Sequence, residues 1–241
     1  MKGIDMKKII GLAPSSVVGN PDQSCMFDYY RVGNNYAKRV TEAGFLPIGL
    51  APVDNWLSEE SLEMCDAFLV QGGAEFYPYH FQLIHHAVTT GKKYLGICLG
   101  QQLIYVYFKL RSMLEESGYE GDIVKGIVDY IKAQPEGFTL QKRIPGHRAE
   151  YPKRGCEDEA KHDVTIVPGT LLHSLLGADT MRLCTFHNLS TPPEATVVKI
   201  NAWSALGDGV VEGTEYGENI LGVQGHPEAD GLLLKLFSFL G

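Results

Sequence analysis

Short, almost unbroken apolar runs recur through the first hundred residues, over 8–14, 45–52, 67–73 and 94–98. They lack the strict apolar–polar alternation of a half-exposed strand, which is the pattern of strands covered on both faces. Between them, residues 29–43 and 78–90 have helical composition, and residues 58–64 open on Ser58-Glu59-Glu60-Ser61, a cap followed by an acidic first turn. Strand and helix in alternation predict a parallel sheet with helices on both faces, whose ligands bind beyond the carboxyl ends of the strands.

The rhythm breaks over 111–145, where Gly118, Gly121, Pro135 and Gly137 surround a helix-like stretch at 122–133. Ile123, Ile127 and Ile131, flanked by Val124 and Val128, give that stretch one apolar face. From His162 onward short strand-like runs return, at 164–167, 181–186, 195–200, 209–212 and 219–224. No internal repeat, low-complexity tract or interdomain linker interrupts them, so the expectation is one domain over 1–241 with a helical insertion at about 118–137.

Composition narrows the function classes. With 44% hydrophobic and 21% charged residues the chain is an ordinary globular protein. A formal charge of −8 disfavours nucleic acid and anionic membranes as partners, because both reward basic patches, and points instead to a small-molecule substrate. The apolar run at 9–13 is too brief for a signal-peptide core or a spanning helix, so it reads as a first strand in a cytoplasmic protein. The five cysteines, at 25, 65, 98, 156 and 184, include no C-x-x-C pair or close Cys/His cluster. Free thiols are therefore expected, with no disulfide framework and no metal, and Cys65 and Cys184 read as packing groups.

Cys98 reads differently. In Tyr94-Leu95-Gly96-Ile97-Cys98-Leu99-Gly100-Gln101-Gln102 the thiol lies between two glycines where an apolar strand gives way to a helix-forming run. Glycines two residues to either side permit a sharp turn that lifts a nucleophile out of the sheet, and the helix start that follows favours a thiolate. Such a cysteine is as readily a small packing group, and the other end of the chain tips the balance. There, Leu221-Gly222-Val223-Gln224-Gly225-His226-Pro227-Glu228 runs a strand into His-Pro-Glu. Residues two apart in extended chain project to one side, so Glu228 can orient and charge-stabilise the His226 ring. A cysteine, a base and an orienting acid compose a nucleophilic triad.

On these two motifs the chain resembles the class I glutamine amidotransferase superfamily. Further stretches resemble its γ-glutamyl hydrolase branch, the peptidase C26 group that includes γ-glutamyl-γ-aminobutyrate hydrolases: Val70-Gln71-Gly72-Gly73, Gly146-His147-Arg148, His162-Asp163-Val164 and Asp208-Gly209-Val210-Val211-Glu212. The resemblance implies a flavodoxin-like three-layer αβα sandwich with a mostly parallel central sheet, and a cysteine hydrolase that needs no cofactor. It implies that Cys98 attacks the γ-carbonyl of a glutamyl amide, that His226 is base and then acid, and that Glu228 holds the imidazole. The backbone N–H groups of Gly73 and Leu99 would form the oxyanion hole, and Gly72, Gln102 and His187 would hold the glutamyl group.

The chain also departs from that pattern. Glu75-Phe76-Tyr77-Pro78 replaces the branch's Asp-x-Asp-Pro, Cys184-Thr185-Phe186-His187-Asn188-Leu189 keeps only the first histidine of Asn-Ser-x-His-His-Gln, and Gly225 replaces an aromatic residue. The last change is expected to enlarge the pocket. His85-His86 reads as a solvated or half-buried pair, 156–161 as a solvated loop and Asp208-Gly209 as a turn. Because the chain ends thirteen residues after Glu228, no synthetase domain is expected to be fused to it. A free-standing hydrolase is thus preferred over a glutaminase subunit that feeds ammonia to a separate synthetase, and an intact triad disfavours a non-catalytic binding module. The insertion at about 118–137 is expected to pack near the carboxyl edge of the sheet as a wall or lid over Cys98, the competing use of its apolar face being a homodimer contact.

Overall fold

The computed structural model describes residues 6–18, 28–133, 141–147, 158–229, 231 and 233–241. Its strands are β1 (Ile9–Ala13), β2 (Ser15–Val18), β3 (Asp28–Arg31), β4 (Leu46–Gly49), β5 (Ala67–Val70), β6 (Lys93–Ile97), β7 (Lys142–Arg143), β8 (Lys161–Ile166), β9 (Thr180–Cys184), β10 (Leu189–Ser190), β11 (Lys199–Ser204), β12 (Val211–Tyr216) and β13 (Ile220–Val223). The helices are α1 (Asn34–Glu42), α2 (Glu59–Glu63), α3 (Pro78–Thr90), α4 (Leu99–Glu116), α5 (Ile123–Lys132), α6 (Leu171–Leu176) and α7 (Leu234–Ser238).

The main sheet runs β4-β1-β5-β6-β13-β12-β11-β8-β9. Pairings from β4 to β13 are parallel, and those from β13 to β9 are antiparallel, so the sheet is mixed and its parallel half carries the strands read as doubly buried. Alternate residues of one strand reach opposite cores. Phe68 and Val70 of β5 join the side chains of α3, α4 and α5, whereas Ala67 and Leu69 join those of α1 and α7. That division produces three layers.

Two expected elements differ. The helix anticipated over 29–43 starts only at Asn34, because residues 28–31 form β3 and pair antiparallel with β2. The strand anticipated at 195–200 lies instead at Lys199–Ser204, where it fits between β12 and β8. Cys65 is a free thiol that burial pushes up to about 11, in keeping with a packing role. The free-thiol expectation fails at Cys184, which is disulfide-bonded.

The lid expectation fails for residues 118–133 as well. Asp122 caps α5 through its side chain, which accepts the Lys125 N–H, and Val124, Ile127 and Val128 bury the apolar face in the core shared with α3 and α4. α4 begins at the Cys98 end of the sheet and its 18 residues carry the chain roughly 27 Å away before α5 starts. No residue of 118–133 lines the cavity around Cys98; residues 134–137 lie outside the described ones. The residues near the start of α5 instead face α2 and α3, around Trp56, Glu59, His85 and His86.

Candidate active site

Cys98 stands at the turn from β6 into α4 with φ 55° and ψ −103°, a conformation non-glycine residues rarely adopt. The two glycines around it are required by contact rather than by φ. A Cβ on Gly96 would sit 2.3 Å from the Gly100 carbonyl oxygen, and one on Gly100 would sit 2.4 Å from that of Val70. The turn therefore presses α4 directly onto β5 and β6, leaving the Cys98 side chain at the end of the sheet with the first turn of α4 behind it.

The adjacent strand β13 delivers the second group. Its end is fixed by the Gln224 N–H to the Glu212 carbonyl at 2.8 Å and the His226 N–H to the Cys184 carbonyl at 2.8 Å. His226 Nδ1 lies 2.8 Å from Glu228 Oε1, while Nε2 is buried and hydrogen-bonds to nothing among the described residues. Burial lowers the pKa of the ring, but the charges of Glu228 and then Cys98 outweigh it and hold the imidazole well above its usual value. The arrangement thus favours an imidazolium between a carboxylate and a sulfur. Arg39 donates from Nε to the Glu228 carbonyl at 3.2 Å, which anchors the acid's backbone to α1.

The loop after β5 closes the third side. A Cβ on Gly72 would approach His226 Cε1 to 3.0 Å, the Tyr36 hydroxyl to 3.3 Å and Cys98 Cβ to 3.4 Å. The Gly72 N–H donates to the Tyr36 hydroxyl at 3.1 Å. Burial and the neighbouring Glu228 charge drive the Tyr36 pKa well above its ordinary value, so it stays a neutral phenol beside that carboxylate. Gln71 ties the loop down: its Nε2 donates to the carbonyls of Ala13 (2.9 Å) and Arg31 (3.0 Å), and its Oε1 accepts the Gly33 N–H (2.9 Å). The N–H groups of Gly73 and Leu99 have no acceptor among the described residues, and both residues line the cavity around Cys98.

These pieces surround a cavity of about 540 Å³ lined by Cys98, His226, Glu228, Tyr36, Gly72 to Ala74, Leu99, Gln102, Arg31 and residues 186–189. A smaller cavity of about 280 Å³ shares Arg31, Gly72 to Ala74 and Leu99 with it and adds Ser15, Glu75 and Tyr77. The structure thus brings together Cys98, His226, Glu228, Gly72, Gly73, Leu99, Gln102 and His187. The Gln102 amide is fully engaged, donating to the Leu189 carbonyl (2.7 Å) and Gln224 Oε1 (2.9 Å) and accepting from Gln141. His187 also turns its nitrogens inward, Nδ1 to the Leu189 carbonyl at 3.2 Å and Nε2 toward Glu212 at 3.6 Å. Gly225 does not enlarge the cavity, because a Cβ there would meet Leu183 Cβ at 2.6 Å.

Sequence reasoning singled out neither Tyr36 nor Gln71 individually. Gln71 left a faint signal, a polar residue ending an apolar strand, whereas nothing in the sequence around Tyr36 points to it. Behind the cavity wall, His147, His162 and His187 gather around the fully buried Glu212. Burial raises the pKa of that carboxyl, and contact with His147, His162 and His187 outweighs it, so Glu212 is held below the usual carboxylate range.

Comparison with known proteins agrees with this fold. The model of the Peptidase C26 family matches residues 78–228. Among solved structures, a glutamine amidotransferase from Thermotoga maritima matches with TM-score 0.57 and 15% identity over 92% of this chain and 77% of that one. The glutaminase domain of Trypanosoma brucei CTPS with bound acivicin matches with TM-score 0.60 and 16% identity over 97% and 92%. From Thermoplasma acidophilum, a putative GMP synthase subunit matches with TM-score 0.53 and 17% identity over 99% and 94%. No curated protein matches the chain. Among the described residues, no helix is long and apolar enough to cross a membrane.

Proposed function

The chain belongs to the Peptidase C26 family, and from that premise we propose that it is a cysteine-dependent hydrolase of γ-glutamyl amides. The observation that carries the reading is the alignment of Cys98, His226 and Glu228 at the ends of the neighbouring strands β6 and β13, with Nδ1 of His226 bound to Glu228 and Nε2 left for proton transfer. The Cys98 sulfur attacks the γ-carbonyl carbon, and the electron pair of the C=O bond moves onto oxygen. The N–H groups of Gly73 and Leu99 stabilise that oxyanion. As the tetrahedral species collapses, His226 gives its proton to the leaving amine, the C–N bond breaks, and a γ-glutamyl thioester remains on Cys98. Water then attacks the thioester, His226 takes its proton, and the sulfur leaves as glutamate forms.

Glu228 keeps His226 in the productive tautomer and offsets the charge on its ring. Gly72 and the backbone of the 186–189 segment border the space for the glutamyl group, while Gln102 and His187, whose polar atoms are engaged elsewhere, shape its wall. Among the described residues, Arg31 is the only arginine or lysine on the walls of these two cavities, which suits the α-carboxylate of a glutamyl unit, and Glu75 in the smaller cavity suits its α-ammonium. A glutaminase role for a separate synthetase is the second reading, favoured by the likeness to the CTPS glutaminase domain and the putative GMP synthase subunit. The two are separated by assaying the isolated chain on a panel of γ-glutamyl amides with free glutamine included. Turnover of substituted amides well above glutamine supports the hydrolase, turnover of glutamine alone supports the ammonia-supplying role, and turnover of none overturns both.

A further inference from the structure

Among the described residues, buried polar atoms without hydrogen bonds occur at His86, Gln101, Asn201 and Gln224 as well as at the catalytic groups, and five more such atoms gather around Glu212. His147 Nδ1 lies 3.2 Å, His162 Nε2 3.0 Å and His187 Nε2 3.6 Å from Oε1 of Glu212. Despite these separations, neither the three ring nitrogens nor the two Glu212 oxygens make a hydrogen bond of acceptable geometry. The rings therefore do not aim N–H groups along the lines to the carboxylate. Glu212 has zero solvent exposure, and a buried carboxylate needs a compensating positive charge close by.

We propose that His147, His162 and Glu212 form a buried structural site for a divalent transition-metal ion of the zinc class, with the His187 ring packed against His147 beside it. The distances fit. Metal bonds of about 2.0–2.1 Å in a tetrahedral arrangement put neighbouring donor atoms roughly 3.3–3.4 Å apart, close to the 3.0 and 3.2 Å from Glu212 Oε1 to His162 and His147. The donor atoms of His147, His162 and Glu212 all lie within 4.8 Å of one another. Imidazole ligands select zinc and its neighbours over magnesium or calcium, which take oxygen ligands.

The outer contact has the form that metal-bound histidines use. His147 turns its other nitrogen, Nε2, to Asp208 at 2.7 Å. That partner fixes the tautomer that leaves Nδ1 of His147 free to bind the ion. The three ligands are buried and do not line the cavity around Cys98, so the role of the site is to hold segments together. The segments are far apart in sequence: the loop before residue 148, β8 and β12. His162 lies beyond the last residue of β8 that pairs with β11, which lets it reach across the end of that strand toward β12.

The test uses the full chain, freed of metal by chelator and desalted, then given zinc chloride or cobalt chloride. One zinc per chain should survive desalting, cobalt should give the visible absorption of a four-coordinate ion, and zinc should raise Tm. Asp208→Asn should weaken zinc binding about 10–100-fold, the usual effect of losing an outer partner. Glu212→Gln and His162→Gln should each abolish stoichiometric binding while circular dichroism reports on folding, and Cys98→Ala should bind zinc as the parent does. Less than about a tenth of a zinc per chain with no change in Tm in the unmodified protein would overturn the proposal. So would loss of zinc on Cys98→Ala, which would move the ion to the catalytic thiol.

Discussion

Gly72 lies so close to His226 that a Cβ on it would come within 3.0 Å of the ring's Cε1 and 3.4 Å of Cys98 Cβ. The absence of a side chain at that position is what lets the imidazole approach the sulfur. Gly72→Ala should lower kcat by up to about 10-fold, since the ring must give by a few tenths of an ångström and a full 1 Å displacement of a reacting group costs about 100-fold, while Tm moves little. A variant with unchanged kcat would mean that the ring can yield without consequence.

Gly100 is constrained by backbone instead. A Cβ there would stand 2.4 Å from the Val70 carbonyl oxygen, and no side-chain rotation relieves that contact. Gly100→Ala should cost about 1–3 kcal/mol or more and be read as a lower midpoint in urea unfolding. Equal midpoints would contradict the close seating of α4 on β5.

Glu228→Gln should reduce kcat by two to four orders of magnitude with a smaller effect on KM, because the carboxylate orients and charge-stabilises His226. Stability should change with pH in a definite direction. Burial opposes the charged ring, but Glu228 and Cys98 raise the folded His226 pKa above the unfolded value of about 6.5. The stabilisation is fully present below that value and is lost as pH rises through the higher folded pKa. Urea unfolding from pH 6 upward should show this decline in the parent and a shallower one in Glu228→Gln. Parallel profiles would detach the carboxylate from the ring.

Ile127, fully buried between α5 and the helices beneath it, should cost about 2–5 kcal/mol when replaced by alanine. Selectivity among γ-glutamyl amides should stay as it was, because no residue of 118–133 lines the cavity. An altered substrate profile at full folding would revive a lid role.

What could be read from the chain depended on how local each signal was. The doubly buried strands β1, β5 and β6 are apolar almost throughout, and the pair of glycines around Cys98 marks a turn whose two halves are adjacent in sequence. The antiparallel half was harder, since β11 and β12 bury polar residues such as Asn201, Glu212 and Thr214 and so lose the apolar signature. Tyr29-Tyr30-Arg31 resembled a helix start because its partner, β2, lies more than ten residues away. The His147, His162, His187 and Glu212 cluster was visible only as separate short motifs, because the sheet order alone brings those positions together. The apolar face of α5 was legible, but what it packs against was not, as periodicity fixes a face and not its partner.

The covalent intermediate is the most direct test of the account. The chain would be mixed with a γ-glutamyl amide that it turns over, quenched in acid during steady-state turnover, and weighed intact by mass spectrometry with peptide mapping. One γ-glutamyl group should be found per chain, carried by Cys98, and Cys98→Ala should show neither the adduct nor more than about a hundredth of the activity. Turnover with no mass change on Cys98, together with an active Cys98→Ala variant, would contradict the mechanism.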